Sequence, residues 1–186
     1  MADERMLTWS VEESGGFESS WVVTGPGTLT ARGRAVGVRP EPYWIEYVLE
    51  TGRDCATRRL RVTAEDASGT RRLDLRCEGG RWTADGRPLP ELDGAVDCDL
   101  GRSPLTNTMP VLRHRLHREP GEFDFLMAFV PVPGLNVRAS RQRYTHLGRT
   151  DGGGRVRYAS GDFRSDLEFD QDGLVLVYPG IARRLP

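Results

Sequence analysis

Glycine or proline interrupts this chain about every dozen residues, and apolar and polar residues alternate between the interruptions. With 22 glycines and 12 prolines in 186 residues, few long helices survive, because both residues are costly inside a helix. Alternation with a period of two is the signature of a strand with one buried face. The chain therefore reads as a succession of short strands joined by tight turns.

Taken in order, strands are predicted at Leu7–Glu12, Ser20–Thr24, Thr28–Val38 and Tyr43–Thr51. Ala56–Ala64 and Arg71–Cys77 follow, then a hairpin turning at Ala84-Asp85-Gly86. Further on, Phe123–Val132 is apolar on both faces, which predicts a central strand. Asn136–His146 places Arg138, Ser140, Gln142 and Tyr144 on one face. Asp151–Gly154 is predicted as a mobile loop before Arg155–Ala159, Phe163–Phe169 and Leu174–Tyr178. The expected fold is all-β: one domain over residues 1–186, more than ten mostly antiparallel strands in a roll or open half-barrel, and at most one or two short helical turns.

The remaining stretch, Leu92–Leu116, follows neither period. Ser103-Pro104 is positioned to open a helical turn that Pro110 would stop, and Val111–Leu116 alternates like a strand. Asp97 and Asp99 flank Cys98, so in extended backbone both carboxylates share a face, suited to a divalent cation or to sugar hydroxyls. The plainer alternative is that they bond neighbouring turns or arginines. Asn107, between two threonines, is suited to closing a turn or touching a ligand hydroxyl. On a strand, His114 and His117 point oppositely, which argues against joint metal ligation.

Other patterns exclude more than they suggest. The net charge of −1 gives no general attraction to nucleic acid or to an anionic membrane. Cys55, Cys77 and Cys98 are odd in number and lack a C-x-x-C pair, so they read as reduced thiols of a cytoplasmic protein. No run of 18 apolar residues marks an integral membrane segment. Asp170-Gln171-Asp172-Gly173 lacks the later ligands of a calcium loop and reads as a hairpin turn. No cofactor, metal site or catalytic nucleophile is indicated.

The spacing L-D-G-x-x-D-x-D-L at Leu92–Leu100, followed by S-P-x-T-N-T-x-P at Ser103–Pro110, resembles the bacterial putative glycolipid-binding family. The resemblance continues through Gln142 and Tyr144 to Asp172–Val175 and Tyr178-Pro179-Gly180. The family pattern usually has Cys where this chain has Ala95, and paired arginines where it has Leu112 then Arg113. The resemblance implies a spiral β-roll similar to lipoprotein-carrier proteins. It also implies a non-catalytic protein that holds an amphipathic small molecule or glycolipid in a concave groove, and the near-neutral charge adds the expectation of no nucleic-acid partner. Its expected ligand residues are Arg113, Arg138, Gln142, Tyr144, Asp97, Asp99 and Asn107. Seating an acyl chain of about fourteen carbons is worth up to about 11 kcal/mol, given a long apolar groove. The alternatives are a metal-assisted enzyme on a small sugar or phosphate ester, using Asp97 and Asp99, and a protein-interaction module using an edge strand.

Overall fold

The computed structural model describes residues 3–186, and its fifteen strands form one open sheet. The first eight make an antiparallel meander: β1 (Asp3–Val11), β2 (Gly16–Gly25), β3 (Thr28–Gly37), β4 (Tyr43–Thr51), β5 (Thr57–Asp66), β6 (Gly69–Glu78), β7 (Arg81–Ala84) and β8 (Arg87–Pro88). The chain then crosses to the opposite edge as β9 (Asp97–Leu100). A 3-10 turn at Pro104–Asn107 and helix α1 (Thr108–His114) follow. It returns through β10 (Glu122–Val130), β11 (Arg138–Thr150), β12 (Gly153–Ser160), β13 (Phe163–Asp170), β14 (Val175–Tyr178) and β15 (Ala182–Arg184), which pairs with β1. Among the described residues only β9 and β10 run parallel, and a parallel pair needs a crossover such as the one containing α1.

The sheet coils until its two arms meet. The Thr57 amide at the start of β5 donates to Val96 O at 3.1 Å, and Cys98 N donates to Thr57 Oγ1 at 3.0 Å. Coiling lets one inner face bury itself without a second sheet. On β4, Tyr43, Ile45, Tyr47 and Leu49 are buried while Trp44 and Glu46 face outward. Trp9, Trp82, Tyr47, Tyr144 and Phe169 fill the centre. The two indoles are satisfied there: Trp9 Nε1 donates to Val175 O and Trp82 Nε1 to Ala95 O. The folded surface of 9538 Å² is close to the roughly 9,000 Å² that chain mass predicts.

The structure corrects four local expectations. Val111–Leu116 is not a strand: α1 runs to His114 and ends on Arg115 in the left-handed region. Pro110 does not stop this helix, because it lies in the first turn, where amides lack an intrahelical acceptor. Of the predicted loop Asp151–Gly154, the last two glycines belong to β12. There a Cβ on Gly154 would lie 2.0 Å from the His117 carbonyl oxygen, so only glycine lets the post-helical segment approach. The doubly apolar β10 is next to the sheet edge rather than central. Phe123 and Phe125 lie against the crossover, where His114 stacks on Phe123 at 3.9 Å.

Candidate functional site

The inner face opens into a cleft of about 640 Å³ among β9, β10, β11, β12, β13 and β14. Its floor comes from Asp99 on β9 and from Ser103 and Asn107 in the crossover. One wall is the cross-strand pair Phe129 and Arg138, with the guanidinium 5.1 Å from the ring centre. The other wall is aromatic: Tyr158, Phe163 and Tyr178 have mutual centroid separations of 6.0, 6.0 and 6.4 Å. Phe163 is exposed at the lip.

A polar network lies under the floor. Gln142 Nε2 donates to Asp99 Oδ2 at 2.6 Å, and Thr106 Oγ1 donates to Asp99 Oδ1 at 3.2 Å. Tyr144 Oη donates to Asn107 Oδ1 at 3.0 Å, with Gln142 Oε1 3.3 Å away. These bonds orient Asn107 and leave its Nδ2 without an acceptor among the described residues. Desolvation pushes the Asp99 carboxyl upward, against the bonds from Gln142 and Thr106. Arg102 stands at the rim, held by a 3.2 Å bond from Nη1 to Val132 O and by the Tyr43 ring 5.7 Å away. Neither Arg102 nor Arg138 meets a carboxylate within 4 Å among the described residues.

The seven sequence-predicted ligand residues divide into three groups. Asp99, Asn107 and Arg138 line the cleft. Gln142 and Tyr144 are buried behind it, on the same β11 face as Arg138. Asp97 and Arg113 lie outside it, joined to each other: Arg113 Nη1 donates to Asp97 Oδ2 at 2.7 Å, and its Nε donates to Asp54 O at 2.8 Å. This buried pair ties α1 to β9. The two aspartates thus have separate partners, and no group of three metal-ligating side chains occurs among the described residues. Asp170–Gly173 is the expected turn, with Asp170 Oδ1 accepting from Asp172 N and Leu174 N.

Residues 6–184 match the family described as "Putative glycolipid-binding". The chain belongs to that family. A solved structure described as a DUF1089 family protein from Pseudomonas aeruginosa is similar, with a TM-score of 0.75 and 31% identity over 90% of this chain and 92% of that one. Among curated proteins, nothing matches. In this member of the family, the motif from Leu92 to Pro110 supplies β9 and the crossover, and hence the cleft floor. No helix among the described residues is long and apolar enough to cross a membrane.

Sequence reasoning missed Arg102, Ser103 as a lining residue, Tyr158 and Phe163. Arg102 has a positive φ of 64° in a turn, and Tyr158 and Phe163 reach the cleft only through the sheet's coiling. It also missed Glu18 on β2, which is fully buried behind Ser103. Ser103 Oγ donates to Glu18 Oε1 at 2.8 Å, Ser20 Oγ does so at 3.3 Å, and Tyr47 Oη donates to the same oxygen. Glu18 Oε2 has no partner among the described residues. Burial raises this carboxyl to about 7, opposed by the three hydroxyl bonds. Gly33 makes room for the Tyr47 ring, since a Cβ there would lie 2.2 Å from its Cζ.

Proposed function

We propose that the protein is a non-catalytic binder of an amphipathic glycolipid, which it holds in the inner-face cleft. The observation that carries this reading is the cleft itself, where an aromatic wall faces a cationic one across a hydrogen-bonding floor. Aromatic faces suit the C–H surface of a sugar ring, amide and carboxylate groups suit its hydroxyls, and arginine suits an attached anion. Asp99, Asn107 and Arg138 contact the ligand, while Gln142 and Tyr144 fix the floor. Asp97 and Arg113 act at one remove, by fixing the crossover that carries Asn107.

The enzymatic alternative required Asp97 and Asp99 to act together, and the Arg113 pair gives Asp97 a structural task instead. At one sheet edge, the two-residue β8 ending in Pro88 is a poor template for strand addition. Organic extraction of the purified protein followed by mass spectrometry tests the binding reading. A sugar-bearing lipid in repeated preparations is expected. Lipid-free protein that also fails to take up glycolipid from a total lipid extract would overturn it.

A further inference from the structure

We infer that the cleft recognises an anionic saccharide head group and leaves the acyl chains outside the protein. This rests on the glycolipid reading above and specifies which end of the ligand is held. Trp9, Trp82, Tyr47 and Phe169 fill the centre of the roll, where a lipid tail would otherwise lie. The remaining opening has Asp99, Ser103 and Asn107 on its floor and Ser140 on its wall. Methylenes seated there would desolvate these polar groups without replacing their hydrogen bonds, which is unfavourable. A sugar reverses that balance, because each hydroxyl both donates and accepts.

The charge of the head group follows from the arginines. Five other arginines, at 59, 113, 143, 157 and 184, each donate to a carboxylate at 2.7 Å. Arg102 and Arg138 do not, yet rings beneath both, and the Val132 carbonyl for Arg102, hold their guanidinium groups in place. Positioned, unpaired guanidinium groups suit a phosphate or a carboxylate, both of which accept two parallel N–H bonds. Glu13, also on the lining, is available to accept from hydroxyls. The shared chemistry is an anion on a sugar, either a sugar phosphate or a uronate.

Chemical-shift titration of the full-length protein with glucose 1-phosphate, glucuronate, glucose and myristate separates these cases. One or both anionic sugars are expected to shift the Asn107 side-chain amide and to bind at least about tenfold more tightly than glucose, and the tighter of the two identifies the anion. Myristate is expected to leave the amide unmoved. Arg138→Gln is expected to cut the preference for the anionic sugar over glucose about tenfold, and Arg102→Gln provides a second variant should the first fold poorly. Uptake of intact glycolipid, with myristate shifting the cleft and neither anionic sugar doing so, would overturn the head-group inference and leave the glycolipid reading standing. Failure to take up any glycolipid would overturn both.

Discussion

Two grooves of nearly equal size lie on opposite faces of β10–β12, and both are rich in arginine. The outer one, about 630 Å³, is lined by Arg141, Arg143, Arg157 and Arg164 among others. There Arg143 bonds Asp124 through Nε and Nη2, and Arg157 bonds Asp166 in the same way. The inner cleft has half as many arginines, and its two are unpaired among the described residues. A count of basic residues would therefore select the wrong face. Arg141 and Arg164 of the outer groove meet no carboxylate either among the described residues, so what separates the inner cleft is that both of its guanidinium groups are unpaired and lie over rings, and that aromatic side chains and an uncommitted amide converge on the same space.

The strongest way to break this comparison is to disturb the crossover that builds the inner floor. Arg113→Met leaves Asp97 buried without its partner, and breaking a buried pair this way costs roughly 3–5 kcal/mol. Denaturant unfolding should register that loss. Ligand affinity measured on the fraction still folded should change far less, and equal losses in both would place Arg113 in direct contact with the ligand.

Glu18 tests the same floor through pH. Its carboxyl binds a proton more readily folded, at about 7, than unfolded, at about 4.5. Stability is therefore greatest below the unfolded value and declines as pH rises through the folded one, by at most about 3 kcal/mol. Stability curves between pH 5 and 8 should show this decline in the wild type and a flatter profile in Glu18→Gln. A decline of the same size in the variant would assign it to another group.

Smaller effects sharpen the contrast between the two faces. Arg138→Gln should weaken binding of an anionic sugar about tenfold, roughly 1.4 kcal/mol, with an unchanged unfolding midpoint. Arg143→Gln and Arg157→Gln, on exposed outer pairs, should alter neither binding nor stability measurably, because such pairs are well solvated. Isothermal titration of all three variants orders them directly.

Much of the fold was legible because alternation is a local signal. Tyr43–Thr51 matches β4 end to end, and Arg138, Gln142 and Tyr144 do share one face of β11. β15 was not legible, since three residues are too few to display a period. α1 misled because Val111, Arg113 and Arg115 alternate like a strand, while the fact that decides for helix, Arg113 reaching back to Asp97, is a contact across sixteen residues. The cleft was only half legible for the same reason. Its floor lies in one continuous motif, whereas Tyr158, Phe163 and Tyr178 join it through coiling of a fifteen-stranded sheet. Glu18 gave no local warning, because a carboxylate on a strand ordinarily faces water.

The most direct test is a titration of the full-length protein with glycolipid, following the guanidinium Nε signals of the arginines and the side-chain amide of Asn107. Shifts at Arg102, Arg138 and Asn107, with Arg143 and Arg157 unmoved, are the predicted result. Shifts confined to Arg143 and Arg157 would contradict the account and move the site to the outer face.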